Sequence, residues 1–380
     1  MGILPRRFFI RLIGTLIGIT SFSFLQAQSR TVTDWELKPS LKYDTLCVLN
    51  TLSGDPYYLK YYQAEYDHFH PLFKPEEQTA FVQLKKIIKD DGHEIISAKL
   101  ALYFSVVNDE TLPQMIATAH DSSQMKAALR QTSYWDEDSW GNYEAARPSL
   151  EVALRALDRI GFPAYWNEKA RPVAEKRIAE LAPELPKYDI LPVIESYLGF
   201  SLPSHTITVY LLNYSEPHGI RITGLRFLTH VSYPFKIVLH NAIHESMHPP
   251  YHADEAKVAR AIELLGQDPT VADKVQHHNP SFGYNTAAGY IEEDSVQALE
   301  EIVSEEFGVG HNACKYWREQ DDGMHVLAVA LYEGYGQAVA THPRPYSQWF
   351  TQAVEKGQLR GSALKATIQT FFSSSDCGQP

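Results

Sequence analysis

The chain has 380 residues, 44% of them hydrophobic and 21% charged, with a formal net charge of −12 at pH 7. That size and composition suit one large domain or two modest ones and exclude wholesale disorder. The acidic balance argues against nucleic acid and anionic membrane surfaces as partners.

Residues 1–28 read as a signal peptide. Arg6 and Arg7 open a basic region, 12–25 is an apolar stretch of signal-peptide length, and Ala27 offers a small residue for cleavage. Arg6-Arg7-Phe8-Phe9-Ile10-Arg11 also fits a twin-arginine export signal. An uncleaved anchor is the other alternative, although the apolar run is short for a span. The expectation is an exported protein, periplasmic or extracellular, with no stable membrane span after cleavage. Removal of 1–28 takes away three Arg and no acid, leaving 31 basic against 46 acidic side chains, a net −15. Cys47, Cys314 and Cys377 are too few for a disulfide scaffold or a CxxC zinc site. One disulfide and one leftover thiol can form in any of three pairings.

Residues 29–200 read as a mainly helical N-terminal portion. Its early part holds the aromatic cluster Tyr57-Tyr58-Leu59-Lys60-Tyr61-Tyr62, which reads as a packed surface. Helical spacing follows at Phe81, Leu84, Ile87 and Ile88, and again at Leu150, Ala153, Leu154 and Leu157. Between them, 132–145 reads as a polar aromatic loop, an ordinary connection or the rim of a cleft.

The texture changes in 201–380. Residues 206–212 are β-branched and aromatic and predict a strand; the turn-rich 213–219 and a second apolar segment, 220–231, follow. Ser232 and Pro234 supply an N-cap and an early proline for a helix carrying Ile237, Val238 and Ile243. Pro249 stops that helix at His248. Residues 253–266, 285–307, 323–340 and 361–372 predict further helices. The expected fold is α+β, predominantly helical.

That helix contains His244-Glu245-Ser246-Met247-His248, the HExxH pattern. Residues four apart share a helix face, so both imidazoles can grip one Zn²⁺, and Glu245 beside them can act as a general base. A catalytic zinc needs a third protein ligand, and the helical segment Ile291-Glu292-Glu293-Asp294-Ser295-Val296-Gln297-Ala298-Leu299-Glu300 is its obvious source.

Here the sequence resembles the gluzincin metallopeptidases, in which HExxH is followed by a helix that donates a Glu. In the aminopeptidase branch that helix reads LNEGFAxxxE, and residues 291–300 follow it in outline. The resemblance covers roughly 205–307. It implies a zincin-like core with a small sheet, zinc held by His244, His248 and Glu293, and Glu245 as general base in the hydrolysis of a peptide or protein substrate. Glu300, seven residues after Glu293, lies on the same face and can support the site. A Tyr or His donor commonly stabilises the oxyanion; His325, Tyr332 and Tyr335 are the candidates.

Three departures stand out. Pro249 and Pro250 end the motif helix early; Gln297 occupies the place of an Asp that often steadies a zinc-bound His; and 45 residues separate His248 from Glu293. Among rival ligands, His240 reads as packed or hydrogen-bonded in the core, His252 can swing back past the prolines, and Glu292 points about 100° away from Glu293 and reads as solvated. The alternative function is a secreted binding or structural protein whose zincin fold has lost activity.

Overall fold

The computed structural model describes residues 32–279, 282–342, 344–374 and 377. The predicted export segment, 1–28, lies outside them. The chain is predominantly helical around one small mixed sheet, an α+β architecture. Strands β1 (Asp34–Pro39), β2 (Thr206–Leu212), β3 (Ile220–Ile222) and β4 (Arg226–His230) lie in the order β1-β2-β4-β3. β1 and β4 flank β2 in parallel, and β3 closes the sheet antiparallel to β4.

Period-two alternation decides which side chains face which layer. Ile207, Val209 and Leu211 of β2, with Phe227 of β4, enter one apolar core. Leu212, Ile220, Ile222 and Leu228 enter a second core on the opposite face. Both faces are buried, which is why the predicted strand 206–212 reads as a nearly continuous apolar run. A one-residue slip of β2 would exchange the two sets, and each fully buried aliphatic side chain is worth roughly 1.5–3 kcal/mol.

Helices between 41 and 170 supply the second core, among them Leu41–Leu52 and Glu137–Arg159. The first core is built from Ala174 onward and includes Ile190–Leu198 as well as the C-terminal helices. The change of core therefore falls near 170 rather than at 200, and β1 belongs to the same sheet as β2. The described residues belong to one compact unit.

Several expectations are refined. The apolar segment 220–231 is a hairpin, β3 and β4, turning at Gly224, whose φ of +75° a side chain would strain. The loop expected at 132–145 gives way at Glu137 to a helix capped by Asp136, whose carboxylate accepts from the Ser139 N–H. Helices Pro269–His277, Ala313–Glu319 and Tyr346–Glu355 are additions to the sequence reading. The disulfide joins Cys314 to Cys377, and Cys47 is a buried free thiol. Among the described residues no helix is long and apolar enough to cross a membrane.

Candidate metal centre

The motif helix runs Phe235–Ser246 and is preceded by Pro234 as its N-cap residue. Ser232 is not the cap; its hydroxyl pairs with His230 Nδ1 at 2.7 Å. Met247 ends the helix with an N–H donated to His244 O, and its backbone is still right-handed, φ −92° and ψ −8°. His248 thus stays beneath His244, although Pro249 forbids another turn. Arg221 of β3 donates to the His248 carbonyl, replacing a partner that the truncated helix cannot supply. Ile220 and Ile222 point into the second core, so alternation directs Arg221 to the motif helix.

The second contributing element is the helix Ala287–Glu306, capped by Thr286, whose hydroxyl accepts from the Gly289 N–H. It packs against the motif helix with almost all of 290–304 buried. The acids between 290 and 304 each have a histidine or amide N–H partner, and Glu305 and Glu306 accept from tyrosine hydroxyls.

His244 Nε2 and His248 Nε2 lie 3.3 Å apart, and the Glu293 carboxylate is 3.7 Å from the first and 3.6 Å from the second. Ligands on a tetrahedral zinc, with bonds of about 2.0–2.1 Å, sit about 3.3 Å from one another. The triangle of donors has the right size for one such ion.

The outer contacts orient all three donors. His244 Nδ1 meets Glu300 Oε2 at 3.2 Å, and His248 Nδ1 meets Glu292 Oε1 at 3.1 Å. Both imidazoles therefore direct a proton to a carboxylate through Nδ1 and turn Nε2 lone pairs towards each other. Gln297 Nε2 donates to Glu293 Oε1 at 3.0 Å, and its own oxygen accepts from Trp317 Nε1 at 3.1 Å. Two facing lone pairs beside a carboxylate repel unless a cation or a proton sits between them. Without a metal, burial opposes a charged His244, but Glu293, Glu300 and Glu245 outweigh it and push the imidazole up to about 10. The donor set fits a divalent ion.

Two expectations are corrected. Glu292 is not a solvated bystander: it is the hydrogen-bond partner of His248. Gln297 steadies the ligand Glu293 rather than an imidazole, because four residues along a helix puts it against Glu293. Glu300 supports His244 as expected. His240 is buried and paired with Glu300 and the Val309 carbonyl. His252 stacks against Phe200, ring centroids 4.6 Å apart, and is outside the donor group.

Compared with protein-family models, curated proteins and solved structures, the chain matches none. The chemistry of the site rests on its own residues.

Glu245, the expected general base, follows His244 in the motif. Burial raises its carboxyl above the ordinary range, while the charges of His244 and Arg221 pull it down. The exposure of the donors is uneven: the side chains of His244 and His248 keep 20% and 15% of their surface, Glu293 only 4%. The imidazole side is the one open to a ligand, as a catalytic centre requires.

The three oxyanion candidates are occupied elsewhere. Burial opposes a charge on His325, yet Asp294 and Asp321 hold its ring nitrogens at 2.6 and 3.1 Å and push it up to about 10. Tyr332 donates to Glu305, and Tyr335 to the Arg344 carbonyl. Tyr332 instead lines an open cavity of about 1000 Å³ beside the disulfide, away from the metal donors. Two tyrosines that the sequence did not single out stand at the site. Burial raises Tyr284 well above its ordinary range, reinforced by Glu293, Asp321 and Glu245, and its φ of +59° is unusual for a side-chain-bearing residue. Tyr134, from the loop ahead of Glu137, stacks under Arg221 with Cζ 5.5 Å from its ring centroid. The rim reading of that loop has a physical basis here.

Glu292→Gln should weaken zinc binding about 10-fold while leaving it measurable, because the amide still accepts from His248 Nδ1 but without charge. Competition with a chromophoric chelator measures this. An unchanged affinity would show that Glu292 does not act on the centre.

Proposed function

We propose that the protein is an exported zinc-dependent hydrolase of peptide bonds, of gluzincin type, with His244, His248 and Glu293 as ligands and Glu245 as general base. One observation carries the reading: two Nε2 atoms and a carboxylate converge at zinc-ligand spacing, with Glu245 next to the first ligand. Strands β2 to β4 precede the motif helix and the glutamate helix follows it, the order that the resemblance to gluzincins implies.

Zinc at these donors supplies Lewis acidity toward a peptide carbonyl and toward an attacking water. Glu245 takes the proton of that water and passes it to the departing amine. Glu300 and Glu292 keep both imidazoles in the tautomer that offers Nε2. Gln297 and Trp317 hold the Glu293 carboxylate in place. Arg221 fixes the carbonyl of His248, and its charge lies close enough to favour the ionised form of Glu245. The prolines that end the motif helix leave His248 among the donors. The Cys314–Cys377 disulfide supports export, since such bonds persist in oxidising compartments.

The test is zinc content with the ligands replaced. Purified mature protein should hold zinc that a chelator removes together with peptidase activity, and Glu293→Ala should lose both. Hydrolysis that survives complete zinc removal would sink the proposal.

A further inference from the structure

We propose a second divalent-metal centre, of the zinc class, formed by His240, Glu300 and His311, with the Glu301 carboxylate beside it orienting His311. The donor atoms of His240, Glu300 and His311 lie within 4.8 Å of one another. His240 Nδ1 meets Glu300 Oε1 at 2.6 Å, and the His240 and His311 rings are 3.9 Å apart between centroids. His311 Nδ1 meets Glu301 Oε2 at 3.0 Å.

The independent observation is Glu301 Oε1. Glu301 is 2% exposed, and this oxygen is buried with no hydrogen-bond partner. A buried carboxylate oxygen with no donor is unfavourable, and a cation beside it removes the deficit. Gly310 makes the close packing feasible: a Cβ there would stand 2.9 Å from that same oxygen. Protons alone account for the cluster less well. With His240 donating through both nitrogens, to Glu300 and to the Val309 carbonyl, Glu301 Oε1 still lacks a donor. A divalent ion held by His240, Glu300 and His311 supplies two positive charges next to this buried carboxylate. Two imidazoles and a carboxylate are a donor set that suits zinc.

This centre differs in kind from the first. His240, Glu300 and Glu301 are 2–4% exposed, and only the His311 side chain, at 21%, reaches the surface. Its role is to clamp the 309–311 segment onto the glutamate helix. The two centres share one side chain: Glu300 turns Oε1 to His240 and Oε2 to His244.

Zinc per chain in the mature protein, after equilibration with Zn²⁺ and dialysis, tests the proposal, with circular dichroism as the folding control. The parent should hold about two ions, His248→Ala and His311→Ala about one each, and the double variant none. A folded His248→Ala chain with no zinc overturns the second centre, and if the parent holds one ion the hydrolytic centre stands. The reverse pattern, one ion kept in His248→Ala and lost in His311→Ala, supports the second centre and sinks the first. Glu301→Gln keeps the size of the side chain and replaces His311→Ala if that variant misfolds. A Glu301→Gln chain holding as much zinc as the parent overturns the proposal.

Discussion

Glu245→Gln is expected to lower kcat for peptide hydrolysis by about a thousandfold while leaving the zinc content of the chain unchanged. Glutamine keeps the length and shape of the side chain, and Glu245 is outside the three converging donors, so nothing that holds the ion is removed. What disappears is the ability to accept a proton from water and return it to an amine. The loss should fall on kcat with KM little altered, because Glu245 acts on the transition state rather than on ground-state binding. Glu292, a further carboxylate beside the donors, is engaged by His248 and cannot take over without releasing it. Steady-state kinetics beside elemental analysis decides the matter: wild-type hydrolysis by Glu245→Gln would remove the mechanism.

The largest effect on stability is expected at Asp44, far from the site in sequence. Its carboxylate is fully buried in the helix Leu41–Leu52. Oδ1 accepts from the N–H groups of Asn213 and Tyr214 at 2.8 and 3.1 Å, and Oδ2 from Trp166 Nε1 at 2.7 Å. One side chain thus ties the first helix, the end of β2 and the Trp166 segment together. Asp44→Ala strands these donors and leaves a cavity, and should cost about 3 kcal/mol in urea unfolding at pH 7.

Acidity adds a second readout. Burial pushes the Asp44 carboxyl up to about 6 from 3.8, with Trp166, Asn213 and Tyr214 pulling it back. The folded chain therefore binds this proton more tightly than the unfolded chain. The group's contribution is complete below pH 3.8 and is lost as pH rises through 6, by about 3 kcal/mol. Asp44→Asn cannot titrate, so the stability gap between it and the parent should change by about that amount between pH 4 and pH 7. A gap independent of pH would show that Asp44 is ionised throughout.

What the sequence reveals follows from the range of the interactions involved. The motif helix, β2 and the glutamate helix are set by local spacing and β-branched content, and each stands close to its expected place. β1 was missed because Asp-Trp-Glu-Leu-Lys-Pro has little strand character of its own; it is a strand because β2 gives it a partner. His244 and His248 were legible because residues four apart share a helix face, and Glu293 because residues 291–300 resemble the gluzincin glutamate helix in outline. The partners of those donors were not. Glu292 reaches His248 because the motif helix ends at Ser246 and the two helices approach there, which no pattern within either helix records. Arg221, Tyr134 and Tyr284 come from a hairpin and two loops. Only the folded chain brings them to Glu245 and Glu293.

The pairing of β1 with β2 also sets how this protein can be cut. Thr206 of β2 meets Asp34 of β1 across 172 positions, and β2 lies between β1 and β4. A fragment beginning at 201 retains every metal donor but turns β2 into an unpaired edge and strips the helices from Leu212, Ile220, Ile222 and Leu228. A bare edge beside a bare apolar face is a template for aggregation. The half that carries the candidate metal donors is therefore not a transplantable module, and a graft or truncation must carry the sheet's first strand and its covering helices with it.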